Sequence, residues 1–263
     1  MRKLVEYKII SGQVVETRRS WLQVRQPGEA RKGRAPRKAG NTSEKKIKQN
    51  EASSTKELAR VINSTFRAGD AHVVLKYDND SIPADYEAAA LRLKKFLERV
   101  RREFRHRFNR LPVLCWVTAN WSPRREAPAR LHHHLVVEKE AAAVIHELWD
   151  GGGYSEEDLD GRGDHTDLAA YMIANVAGLP AGKKKWHATR NVSRPIYTEP
   201  VAVYDVEGIQ PDKGATIKAH ESYADEDGRI TSAYLRCVLP VRPYVRGGKI
   251  VMPAQKKRKD KGG

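Results

Sequence analysis

Runs of apolar residues with a period of two, broken by stretches with a period near 3.6, mark out the elements of this chain. Leu4–Ile10 and Val14–Leu22 read as two short strands around the turn Ser11-Gly12-Gln13. Leu58, Val61, Ile62 and Thr65 or Phe66 recur at helical spacing, and Gly69-Asp70 breaks that helix. His72-Val73-Val74-Leu75-Lys76-Tyr77 reads as a strand ended by the turn-forming Asp78-Asn79-Asp80-Ser81. The longest helix is predicted from Pro83 to Phe108. There Tyr86, Ala89, Leu93, Phe96, Leu97, Val100 and Phe104 form one apolar stripe, with Lys and Arg opposite. Asn109-Arg110-Leu111-Pro112 stops it, and Val113–Ala119 follows as a strongly apolar strand. A further strand spans 131–137, and Ala141–Trp149 is a short amphipathic helix before Gly151-Gly152-Gly153. The acidic stretch Glu156–Asp164 reads as a loop. It leads into a helix over Asp167–Ala177, with Thr166 or Asp164 as its N-cap and Gly178 and Pro180 at its end.

The strands at 113–119 and 131–137 are close enough in sequence to pair antiparallel. The expected fold class is therefore α+β, a central antiparallel sheet with helices packed on one face. Residues 25–50 are poor in apolar side chains and rich in Lys, Arg, Pro and Gly, as expected of a basic arm. Beyond residue 200 the chain reads as short strands and loops with the basic tail Lys256-Lys257-Arg258-Lys259. Three segments are expected: 1–50 with the first strands and the arm, 51–200 as the main domain, and 201–263 as accessory strands and tail. No internal repeat is visible.

Composition narrows the function classes. Lys and Arg outnumber Asp and Glu by 49 to 33 in 263 residues, for a formal charge of +16. A surplus of that size favours a polyanionic partner, most often nucleic acid. The two cysteines, Cys115 and Cys237, are too few for a disulfide framework or a zinc cage of their own. The first residues lack the apolar stretch of a signal peptide, and no run approaches the ~20 apolar residues of a membrane span. The expected location is cytoplasmic, with no membrane partner.

The candidate chemistry begins at His132-His133-His134, which leads into Leu135-Val136-Val137. On a strand, alternate side chains share a face, so His132 and His134 point one way and His133 the other. Two imidazoles about 7 Å apart along a pleat can hold one metal ion. Tyr171 lies on a predicted helix, one step off the inward stripe of Leu168, Met172 and Ile173, with Asn175 one turn on. A phenol, with its pKa near 10, is a weak nucleophile at neutral pH, and a divalent cation that polarises a phosphate offsets much of that weakness. Taken singly these features have plainer readings, because histidine pairs on strands are common and a helical tyrosine is more often a partly buried core residue. Metal pair, tyrosine and positive charge together point to an enzyme that cuts DNA.

The ordered set resembles the HUH endonucleases, and within them the rolling-circle replication-associated proteins of bacterial plasmids, phages and integrated elements. The likeness covers most of residues 1–200. It runs through Leu75-Lys76-Tyr77-Asp78, the long helix to Phe104, the strand Cys115–Ala119 and Arg130-Leu131-His132-His133-His134. It continues through Leu168-Ala169-Ala170-Tyr171 and closes on Trp186–Pro195. The resemblance implies that His132 and His134 hold Mg²⁺ or Mn²⁺ and that Tyr171 attacks a phosphate of single-stranded DNA at a replication origin. It implies a 5′-phosphotyrosyl enzyme and a free 3′-OH, with later reversal rejoining the strand. Two positions depart from the family. Asn120 stands where a third, acidic or amide metal ligand is usual, with Glu126 as a fallback. Asn175 stands where a lysine often assists the tyrosine, and one of Lys183, Lys184 or Lys185 could substitute. Trp186 beside Lys185 and Arg190, together with Arg194, completes the candidate DNA-binding set, and Trp121 is a second ring on which a base could stack. No helicase motif is present, so unwinding falls to a host helicase. The alternatives are a relaxase or transposase of the same chemistry, a non-catalytic nucleic-acid-binding protein on the same scaffold, or a structural-metal protein.

Overall fold

The structure, a computed structural model, describes residues 2–23, 44–179, 183–246 and 249–251. Its elements in chain order are β1 (Arg2–Ser11), β2 (Val14–Gln23), α1 (Glu44–Thr65), β3 (Ala71–Lys76), α2 (Tyr86–Phe108), β4 (Leu114–Ser122), β5 (Ala127–Val137) and α3 (Lys139–Leu148). There follow β6 (Tyr154–Asp158), α4 (Thr166–Ala174), β7 (His187–Ala188), β8 (Ile196–Tyr197), β9 (Val201–Ala202), β10 (Thr216–Ala224), β11 (Ile230–Val238), β12 (Tyr244–Arg246) and β13 (Lys249–Val251). The chain divides into two units: Met1–Arg34 with Pro195–Gly263, and Ala35–Arg194.

The central unit is an antiparallel five-stranded sheet in the order β6-β3-β5-β4-β7. Its α+β class follows the sequence pattern, but the helices lie on both faces rather than one. Helices α2 and α3 pack Leu93, Phe96, Val100 and Ile145 onto Val73, Leu75, Leu114 and Leu135. Helices α1 and α4 pack Leu58, Ile62, Ala169 and Met172 onto Cys115, Val117 and Val136 on the other side. The reason is visible in β5, where Leu135, Val136 and Val137 are all fully buried. Three consecutive apolar residues on a strand need cover on both sides.

Local chemistry sets the helix ends. The Asp85 side chain accepts a hydrogen bond from the Ala88 N–H (2.8 Å) at the start of α2. At its end Asn109 takes the left-handed conformation, φ 51°, and its N–H returns to the Arg105 carbonyl. At α4 neither expected residue is the N-cap: that position is His165, which makes no side-chain cap bond, while Asp164 before it accepts from the Thr166 N–H (3.0 Å) and Thr166 is the first helical residue. The break after α3 is used: Gly152 has φ +135°, and a Cβ there would lie 2.5 Å from the Asp78 nitrogen. Only glycine lets this loop close on the end of β3, where the Lys76 N–H donates to the Gly153 carbonyl (2.8 Å).

Two expectations are corrected in this unit. Residues 154–158, within and beside the stretch read as an acidic loop, form edge strand β6 on β3. Its Glu156, Glu157 and Asp158 are exposed, and charged side chains with no apolar period are what a protected sheet edge carries. Of the basic arm, residues 24–43 lie outside the described residues, and from Glu44 onward the chain is already helix α1.

The terminal unit redraws the expected three segments. Strand β2 pairs with β1 on one side and with β11 on the other, in a sheet ordered β10-β11-β2-β1-β8 with β9 also on β1. The first strands and the accessory strands are thus one sheet, and the arm and main domain lie between them in sequence. The turn joining β1 to β2 has Gly12 at φ 63°. The basic tail lies outside the described residues. No helix among the described residues is long and apolar enough to cross a membrane.

Candidate active site

The histidine strand β5 lies between β3 and β4, which fixes where each imidazole points. His133 faces α2 and α3 and is fully buried. Its Nε2 lies 2.7 Å from the Tyr77 hydroxyl and its Nδ1 3.1 Å from Thr118 Oγ1. Burial holds its pKa down to about 3 and pushes the Tyr77 phenol up to about 12. Both partners are therefore neutral, and the histidine in the hydrophobic place is tolerated because both its nitrogens are satisfied.

His132 and His134 face the other way, toward α4, with their Nε2 atoms 3.0 Å apart. The Nδ1 of His132 lies 2.8 Å from the Arg130 carbonyl, so that nitrogen carries the proton and Nε2 keeps its lone pair. The Nδ1 of His134 lies 3.1 Å from Nε2 of a third imidazole, His72 on β3. Burial lowers the pKa of His72, His132 and His134 alike, His134 to about 2. All three are neutral rings at physiological pH, the form that binds metal.

The pair fits a divalent cation by spacing. Two neutral ring nitrogens 3.0 Å apart could hold one divalent cation between them. Among the described residues no three His, Cys, Asp or Glu side chains form a ligand group. The protein thus offers two nitrogens, and phosphate and water would fill the remaining positions.

Tyr171 stands beside this pair on α4. Its ring meets His134 edge-on at 5.1 Å between centroids and is 49% exposed. It lines an open cleft of about 1200 Å³ with His132, Trp121, Lys76, Arg124, Arg125 and Arg130, and no acidic residue is among the lining side chains. Arg130 is held by the Asn79 side chain and the Tyr77 carbonyl. Arg124 and Arg125 are exposed at the turn between β4 and β5.

Asn120 and Asn175 sit next to the site with their amides engaged. Asn120 donates to the Ala177 carbonyl (2.9 Å) and accepts from the Ala177 N–H (3.0 Å), closing a two-bond clamp on the chain after α4. The Asn175 side-chain amide donates to the Tyr171 carbonyl (2.7 Å), and the Asn175 main-chain carbonyl accepts from the N–H groups of Asn120 and Trp121. The Asn120 side chain thus fastens the chain after α4 to β4, in place of the expected ligand, while Asn175 lines the cleft with Tyr171 and holds β4 through its main-chain carbonyl. Glu126, the fallback ligand, lies at the exposed hairpin turn with φ 49° and is not among the residues lining the cleft. Asn120→Ala is expected to cost about 1–3 kcal/mol of stability, since it leaves the Ala177 N–H and C=O without partners. Titration calorimetry with Mn²⁺ should show unchanged affinity. A tenfold loss of affinity without loss of stability would make Asn120 a ligand after all.

The lysine cluster lies elsewhere in the central unit. Lys183, Lys184, Lys185, Trp186 and Arg194 line a second cleft of about 320 Å³ that shares no residue with the first. Lys183 pairs with Glu87, and Lys185 with Glu51 and the Val176 carbonyl (2.7 Å each). Trp186 is partly buried against the α1–α4 core, and Arg190 is exposed. Lys183 and Lys185 thus form ion pairs with the exposed Glu87 and the partly exposed Glu51, and the cations lining the cleft with Tyr171 are Lys76, Arg124, Arg125 and Arg130. His72 is the residue that sequence reading missed. The period-two pattern does place it on the same face of its strand as Lys76, but only strand pairing brings it to His134.

No family model, curated protein or solved structure matches the chain.

Proposed function

We propose that this chain is a metal-dependent DNA-nicking and rejoining enzyme of the rolling-circle initiator type, acting on single-stranded DNA in the cytoplasm. The observation that carries the reading is the exposed Tyr171 ring against His134, on the wall of a cleft lined by cations. A divalent cation held by His132 and His134 would, when bound, polarise the scissile phosphate and favour the phenolate. Tyr171 Oη forms the new bond to phosphorus and loses its proton to solvent. The bond to the 3′ oxygen breaks, and that oxygen leaves as a 3′-OH after taking up a proton. The 5′ end stays on Tyr171, so the bond energy is conserved and the reverse attack by a 3′-OH rejoins the strand.

Lys76, Arg124 and Arg125 supply phosphate contacts, and Trp121 offers a ring on which a base can stack. Arg124→Ala with Arg125→Ala should weaken single-strand binding. It should also flatten the salt dependence of log K by about 0.7 per lost contact. An unchanged slope would place the strand elsewhere. The chain itself carries no helicase motif, so a host helicase is the partner for duplex substrates.

Incubating the full chain with single-stranded DNA from its own replicon and Mn²⁺, then resolving it on a denaturing gel, tests the reading. A covalent adduct that a chelator abolishes is the expected result. The side-chain engagement of Asn120 and Asn175 favours one second reading, a protein on this scaffold that binds DNA without cutting it. Salt-sensitive binding with no adduct would select that one.

A further inference from the structure

Three imidazoles form an unbroken chain at the floor of the site, and its proton positions are tightly constrained. The His132 Nδ1–H donates to the Arg130 carbonyl (2.8 Å), so its Nε2 bears a lone pair. The His134 Nε2 is 3.0 Å from that lone pair and its Nδ1 is 3.1 Å from the His72 Nε2. His72 and His134 are 8% and 1% exposed, so water satisfies neither ring in full. A neutral imidazole has one N–H and one acceptor. Without an ion, every contact is satisfied only if the His72 Nε2–H donates to the His134 Nδ1 and the His134 Nε2–H donates to the His132 Nε2. With an ion between the two Nε2 atoms, both must be lone pairs. The His134 proton must then sit on Nδ1 and donate to the His72 Nε2.

We propose that His72 is a positioning residue for the metal pair, switching between donor and acceptor so that His134 can change tautomer as the ion enters. The inference rests on reading His132 and His134 as the metal pair. The bridging proton passes from His72 to His134, the His134 Nε2 proton leaves to solvent, and His72 Nδ1 takes one up. The three rings carry three ring protons before and after. A side chain able only to donate at position 72 would lock His134 in the form that cannot bind. One unable to bond at all would leave the ring free to turn. Outer partners of this kind, which fix the ring and tautomer of a metal-binding histidine, typically change metal affinity by about 10- to 100-fold when lost.

The test uses the full chain and two readouts that do not involve DNA. Calorimetry with Mn²⁺ should show His72→Ala binding 10- to 100-fold more weakly than the unsubstituted chain. His72→Gln should retain most of the affinity, because its amide both donates and accepts. In nitrogen-15 spectra of the unsubstituted chain, His134 should be protonated at Nε2 without metal and at Nδ1 with saturating Mg²⁺. Equal Mn²⁺ affinity in His72→Ala, or one His134 tautomer in both states, would overturn the proposal, and the spectra decide it even if the alanine variant fails to fold. Metal uptake with tautomer exchange but no DNA adduct would remove the strand-transfer reading and leave the role of His72 standing. No Mn²⁺ uptake by the unsubstituted chain would remove the role of His72 with its premise.

Discussion

Tyr171→Phe is expected to abolish the covalent protein–DNA adduct, lowering the nicking rate by on the order of 10⁴–10⁶. The substitution removes one oxygen and little else. The Tyr171 ring is half exposed, and its hydroxyl makes no hydrogen bond among the described residues. Stability should therefore change by no more than about 0.5 kcal/mol, the usual range for such surface positions. Binding to single-stranded DNA should persist, because the cations at the cleft are untouched. No other tyrosine near the histidines is a ready substitute. Tyr77 is buried, its hydroxyl is taken by His133, and its pKa stands at about 12. Denaturing gels and a binding titration on the same preparation measure both properties. An adduct of undiminished yield in the phenylalanine variant would assign the nucleophile to another residue and end the case for Tyr171.

The second large effect is on stability and lies on the opposite face of the same strand. His133→Leu strands the Tyr77 hydroxyl and Thr118 Oγ1 in a dry interior, at 2% and 4% exposure. At about 1–3 kcal/mol for each of the two orphaned groups, the variant should lose roughly 2–6 kcal/mol. Replacing the partners as well, with Tyr77→Phe and Thr118→Val, removes the orphaned groups rather than adding contacts. The triple variant should recover most of the loss, since swapping a whole polar cluster for apolar groups of similar shape is nearly neutral. Denaturant midpoints for the single and triple variants measure this. A triple variant no more stable than the single one would mean that the cluster is worth more than the sum of its satisfied groups. The triple variant should also still form the adduct, because β5 keeps its register and with it the direction of His132 and His134.

How far the sequence announces all this differs by element. The stripe on α2 and its stop at Asn109 read directly, because helix periodicity is local, whereas the start expected at Pro83 falls at Tyr86, after the Asp85 cap. The alternation at 132–134 likewise gives the facing of each histidine, since that follows from strand geometry alone. Strand β6 is not legible, because an exposed acidic edge has no apolar period to find. The pairing of β2 with β11 is not legible either, being a contact between residues about 200 apart. The site divides the same way. Tyr171 and the histidine pair could be named from spacing, whereas His72 depends on the register of β3 against β5. The partners of Asn120, Asn175, Lys183 and Lys185 are not legible for a common reason. Amide and ammonium groups look free in a sequence and are often engaged in the fold, here by Ala177, Tyr171, Glu87 and Glu51.

Strand β2 reaches its neighbour β11 only after the whole central unit has been made. At translation rates of ~5–20 residues per second, the β2 edge of the β1–β2 hairpin stays bare for about 10–40 s before β11 is made. Helices and strands of residues 44–179 can meet their own partners in that interval. A segment made before the central unit is thus among the last to mature, and for those seconds a newborn chain is most exposed to joining its neighbour on the same message.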